Sequence, residues 1–218
     1  MMGVRAVAVA VVSCGVLVCA PPAQADSLDE VFTWYDRESE VFFDALEGSA
    51  YRFLAGGETE LGDVSLAGSR DPSGAASMTI KSPFLSGKLR CVKDDRCWFR
   101  ASGERTWQKL AAGDVTVKDE ALEISGRQVR KTLADATVAS FDPSAGRAVL
   151  EASDGAQVAI RVTDSLISFV TTASTEGATE ESVVEMRLRK DFRVKTPAKK
   201  LRSTADKSYS FTIPGVPR

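Results

Sequence analysis

The sequence predicts an α+β fold: a large, curved, mostly antiparallel sheet wrapped around a long N-terminal helix and a short central one. Two observations carry this. At Gly48 the apolar spacing changes from the 3.6-residue period of a helix to the two-residue period of strands, and it stays there with one interruption. Several strands then alternate apolar with charged residues, as in Val184-Glu185-Met186-Arg187-Leu188-Arg189, so one face of the sheet is wet and the other needs an apolar cover. About nine to eleven strands accumulate enough twist that an open or half-closed barrel is expected, with a sandwich as the alternative.

The elements follow in order. Residues 1–25 read as a secretory signal: Arg5 supplies the positive start, Ala6 to Ala20 is uncharged and apolar, and Ala23-Gln24-Ala25 is a small-x-small cleavage site before Asp26. The apolar stretch is shorter than the roughly 20 residues that span a bilayer. Val11-Val12-Ser13-Cys14 fits a loose lipobox, so acylation of Cys14 is the alternative processing, although the apolar run continues through Cys14 to Ala20.

Ser27 to Glu47 is expected to be an amphipathic helix. A serine stands before Asp29 and Glu30, Leu28, Val31, Phe32, Tyr35, Phe42 and Leu46 recur at helical spacing, and Gly48 stops it. Strands follow at Ala50–Leu54, around Val64 and Leu66, and around Met78 and Ile80. Cys91 and Cys97 flank a Lys-Asp-Asp-Arg tip between short apolar arms, which predicts a hairpin closed by a cross-strand disulfide. A redox pair would need closer C-x-x-C spacing and a helix N-terminus. Arg105–Leu110 makes another short strand. Between Lys118 and Ala136 the alternation breaks, giving an irregular loop and a short helix over Arg127–Ala136. Strands resume at Thr137–Phe141, Ala148–Ala152 and Val158–Val162, and a last hairpin pairs Leu166–Thr172 with Val183–Arg189 across a polar loop, Ser174–Glu181. The expected organisation is a leader over 1–25, a single domain over 26–197, and a basic segment over 198–218 ending in an edge strand around Tyr209, Phe211 and Ile213.

This order of elements resembles the LolA/LppX-like lipoprotein-carrier superfamily. The likeness lies in the layout: leader, long helix, a meander carrying Gly48-Ser49-Ala50-Tyr51-Arg52-Phe53 and Gly87-Lys88-Leu89-Arg90, the Trp98 hairpin, Trp107-Gln108-Lys109-Leu110, a helical insertion, and a second meander ending Phe192-Arg193-Val194-Lys195-Thr196-Pro197. It implies an unclosed barrel whose apolar face is lidded by helices and holds lipids or lipid-modified chains outside the cytoplasmic membrane. The lipobox is weak for the LppX branch, and the cysteine hairpin maps onto no family feature.

Composition excludes much else. Histidine is absent, which removes His-dependent triads, HExxH zinc sites and imidazole switches. Asparagine is absent, so there is no N-glycosylation site. No lysine has a serine three residues before it, and Gly57-x-x-x-x-Gly62 lacks the Lys-Ser/Thr of a phosphate loop. Asp94-Asp95 and Glu180-Glu181 are expected to be solvated loop charge. Neither a metal nor a cofactor is expected, and a net charge of −2 argues against nucleic acid. Charge is polarised, however. Arg187–Arg218 holds ten Lys+Arg and two Asp+Glu, while 26–186 holds 17 against 28. That basic segment either lies against the acidic body or attaches to an anionic membrane surface.

The functional expectation is therefore an exported, non-enzymatic carrier or binder of a hydrophobic ligand in the bacterial cell envelope. Phe32, Phe42, Phe53, Met78, Ile80, Val158, Ile160 and Met186 are the candidate cavity residues, and each is equally suited to plain core. The alternative is an envelope interaction or sensor domain on the same scaffold with a filled interior.

Overall fold

The computed structural model describes residues 27–216 apart from 59–61, 94–95, 120, 176–177, 200–201 and 204–208. The predicted leader and Cys14 lie outside the described residues, as do Asp94 and Asp95. Helix α1 (Leu28–Leu46) begins at Ser27, whose hydroxyl accepts from the Glu30 amide, and ends where the Glu47 amide bonds the Phe43 carbonyl. Gly48 then turns the chain at φ 74°, a left-handed conformation that glycine adopts without steric cost.

A meander follows: β1 (Ala50–Gly57), β2 (Val64–Arg70), β3 (Ala76–Lys81), β4 (Gly87–Cys91), β5 (Cys97–Ala101) and β6 (Trp107–Lys109). The chain then makes β7 (Val115–Lys118) and helix α2 (Gly126–Thr132) before a second meander of β8 (Thr137–Asp142), β9 (Arg147–Glu151), β10 (Gln157–Thr163), β11 (Leu166–Thr175) and β12 (Ala178–Arg189). Two short strands close the chain, β13 (Arg202–Ser203) and β14 (Phe211–Pro214). Twelve strands form one sheet in the order β13-β6-β5-β4-β3-β2-β1-β12-β11-β10-β9-β8, antiparallel except for the β13–β6 pair. β14 and β7 form a separate parallel pair.

The half-barrel expected from the sequence does not form. The sheet is open, with β13 and β8 at opposite edges and neither curling nor a pair joining them. The reason lies in the crossover. After β6 the chain leaves the sheet and lays β7 and α2 over its apolar face before starting β8, so the face is covered by an added layer and gains nothing from closing on itself. The two-residue edge strand β13 also offers few hydrogen bonds for closure.

The register fixes what faces inward. One row runs Phe99, Leu89, Met78, Gly68, Phe53, Met186, Ile167 across seven neighbouring strands, with every side chain buried. Gly68 is required there, because a Cβ would meet the Phe53 ring and sit 2.8 Å from the Ser77 carbonyl oxygen. Helix α1 covers this face with Val31, Phe32, Tyr35, Phe42 and Leu46. The β7–β14 pair covers another part: Phe211 packs on Phe99 with ring centroids 4.7 Å apart, and the Tyr51 hydroxyl donates to the Pro214 carbonyl at 2.7 Å.

One local expectation is also corrected. The loop placed at Ser174–Glu181 is mostly strand, since β11 runs to Thr175 and β12 starts at Ala178, which puts Glu180 and Glu181 in a ladder. The strand expected around Tyr209, Phe211 and Ile213 is β14, paired with β7 outside the main sheet, with Phe211 and Ile213 buried. The Cys91–Cys97 disulfide is present and staples β4 to β5 directly across the ladder.

Candidate functional site

Between α2 and the sheet lies an apolar cleft of about 180 Å³, lined on one side by Leu122, Ile124, Val129 and Leu133 and on the other by Val158, Phe169 and Val184. The sheet side is set by the ladder, in which Ile160, Phe169, Val184 and Ala55 are directly paired in turn. The helical side is set by α2, whose Ser125 caps the first turn by accepting from the Gln128 amide. Glu123, Thr132 and Thr171 form the polar rim.

One contact holds the helical wall in place. The Tyr35 hydroxyl donates to the Ile124 carbonyl at 2.5 Å, from the middle of α1 to the segment entering α2. Burial, with the Asp36 carboxylate a lesser cause, pushes the Tyr35 phenol well above its ordinary range, so the donor stays protonated. Beside it Asp36 accepts from Nε and Nη2 of Arg130 at one carboxylate oxygen, and the Arg130 guanidinium lies over the Phe32 ring at 5.1 Å. Gly126 lets the helices meet, because a Cβ there would strike the Asp36 carboxylate.

The apolar lining does not stop at the cleft. The row that carries Phe169 and Val184 continues through Ala55, Leu66 and Ile80, all half-buried. Phe84, in the loop between β3 and β4 just past Ile80, is 80% exposed. The inward face is thus sealed under α1 and the β7–β14 pair and thinly covered along this one row.

Of the eight candidate cavity residues, the structure places Phe32, Phe42, Phe53, Met78, Ile160 and Met186 in the packed core, none more than 5% exposed. Val158 lines the cleft, and Ile80 lies on the half-buried row. Sequence reasoning did not assign Leu122, Ile124, Val129, Leu133, Phe169 or Val184 to a site. The available signal was the helical spacing of Val129 and Leu133 opposite strands that alternate from Val158 and Val184.

A larger hollow of about 720 Å³ lies at the other end of α1, where Asp44, Glu47, Arg70 and Asp119 make it polar. Among the described residues no cluster of histidine, cysteine or carboxylates has the arrangement to hold a metal, and no helix is long and apolar enough to cross a membrane. Glu180 and Glu181 are exposed neighbours on β12. The Asp142 carboxyl is held below its ordinary range, by the Ser144 hydroxyl first and the Ala145 amide next, and it caps a surface turn.

Compared with known proteins, the chain matches no family model and no curated protein.

Proposed function

We propose that this protein is an exported binder or carrier of a hydrophobic ligand, seated in the cleft under α2 and extending along the half-buried row, and that it has no catalytic role. The observation that carries this reading is the continuity of apolar side chains from Val158, Phe169 and Val184 out through Ala55, Leu66 and Ile80. At about 180 Å³ the cleft is smaller than the roughly 300–1,000 Å³ that engulfs a drug-sized ligand, so an occupant would project from it onto the row. A flexible acyl chain suits that shape better than a rigid ring system. The layout resemblance to lipoprotein carriers points to the same ligand class. Residues 1–25 and a disulfide in a hairpin both fit an oxidising, extracytoplasmic compartment.

The packing under α1 favours a second reading. Phe42, Phe53 and Met186 are fully buried there, as a domain with a filled interior would require. Thr171→Trp separates the two, since Thr171 lines the cleft and a large ring there fills it while leaving Phe42, Phe53 and Met186 under α1 unaltered. A fluorescent fatty acid should bind the unaltered protein and lose at least tenfold in affinity for the variant, with the urea midpoint unchanged. Equal affinity of the two proteins would place the ligand elsewhere.

A further inference from the structure

We propose that the outward face of the sheet is a docking surface for an anionic lipid bilayer. The ladder register puts Arg147, Arg161, Lys88 and Arg100 on one outward row. The adjacent row carries Arg187, Arg52, Arg90 and Lys109. Only two carboxylates share these rows: Asp142, 3.7 Å from Arg147, and Glu185, 3.3 Å from Arg187. Six of the cations are exposed, and the other two, Arg90 and Arg100, lie over the Trp107 ring at 4.7 and 5.0 Å. Carboxylates gather again two rows further on, at Glu151 and Glu181.

On the covered side helix α1 carries Asp29, Glu30, Asp36, Glu38, Glu40 and Asp44 against Arg37 alone, and α2 offsets part of this with Arg127, Arg130 and Lys131. A chain of net charge −2 is thereby uneven, with cations collected on the sheet back and acids on α1. Its field would orient it back-first toward a negative surface and raise the encounter rate.

Breadth selects the occupant. Between the cations stand Ser168, Leu54, Ala67 and Thr79 on one row, and Leu166, Ser69, Ser77 and Trp98 on the other. At about 4.8 Å between neighbouring strands, the cations from β6 to β9 span roughly 40 Å in one direction. They are spread over two rows of a broad sheet face rather than strung along a groove, which suits many headgroups at once better than a single polyanion strand. The basic C-terminal segment starts on the same side, where Arg189 donates to the Ser69 hydroxyl at 2.8 Å and lies over the Phe192 ring at 5.3 Å, and Arg193, Lys195 and Lys199 beyond it are exposed. Docked this way, the protein keeps the α2 cleft on the side away from the bilayer. The inference stands apart from the ligand reading, because binding through this face needs no occupied cleft.

The test is flotation of the protein, secreted by its producer and purified, with phosphatidylcholine vesicles with and without phosphatidylglycerol. Binding should require the anionic lipid and be lost as salt is raised. The triple variant Arg52→Gln, Lys88→Gln, Arg161→Gln should bind roughly a hundredfold more weakly, at about fivefold per basic residue near an anionic surface. A control, Arg37→Gln, Arg127→Gln, Lys131→Gln, removes the same charge from the helices and should bind as the unaltered protein does. Circular dichroism checks folding, and Lys109→Gln, Arg147→Gln, Arg187→Gln replaces the first triple if that one unfolds. Equal binding to neutral vesicles, or a control weakened as much as the face variant, would overturn the proposal. So would tighter binding to soluble polyphosphate than to vesicles, which would assign the face to a polymer.

Discussion

Tyr35→Phe isolates the contact that fixes the cleft wall. The substitution keeps the ring, its edge contact with Phe169 at 5.6 Å and the packing of α1, and removes only the hydroxyl that donates to the Ile124 carbonyl. Ile124 is 1% exposed, so water cannot readily replace the lost donor. Leaving a buried carbonyl unsatisfied costs about 1–3 kcal/mol, against the smaller net value of a hydrogen bond exchanged with solvent. With a urea slope of about 1–3 kcal/mol/M, the unfolding midpoint should fall by on the order of 1 M at unchanged slope. Part of the loss should be local. Amide hydrogens between Leu122 and Leu133 should exchange faster than those of β1 and β12, because the segment loses its tie to α1 while the sheet keeps its ladder. An unchanged midpoint together with unchanged exchange over Leu122–Leu133 would refute the account of how this wall is held.

The same residue sets an alkaline limit. Its folded pKa is raised, so its contribution is complete below the unfolded value of about 10 and is lost as pH rises above it; urea midpoints should start to fall near pH 10 and keep falling above it, and less steeply in Tyr35→Phe. Removing the disulfide as Cys91→Ala, Cys97→Ala should cost about 2 kcal/mol by the chain-entropy estimate for so short a loop, read as a lower Tm by calorimetry. Gly68→Ala should cost about 1–3 kcal/mol by overpacking, because the added methyl group faces the Phe53 ring on one side and fixed backbone on the other; an equally stable variant would show that β1 and β2 are less tightly packed than described.

Much of the fold was legible because its signals are local. The α1 boundaries follow from Ser27, the two acids after it and Gly48, and the cysteine hairpin follows from seven residues. What failed depends on contacts far apart in sequence. Whether a long meander curls is decided by what else covers its apolar face, and nothing local in Val115–Lys118 announces a parallel partner about a hundred residues later. The strand over Ala178–Glu181 was hidden by its polar composition, since it is held by its ladder to β11 and buries little. The cleft was half legible for a related reason. Val158 and Val184 alternate plainly, but the helical wall opposite them rests on the Tyr35–Ile124 bond, which joins residues 89 positions apart. The outward basic face needed the register, because its arginines and lysines are scattered from Arg52 to Arg187 and show no run along the chain.

Native mass spectrometry of the protein, purified from its producer without detergent, reads directly whether the cleft holds a ligand. A carrier should show a stoichiometric adduct of lipid mass that organic extraction releases and that Thr171→Trp fails to carry. A bare chain of unmodified mass, from unaltered protein and variant alike, would contradict the carrier reading and favour the filled interaction domain.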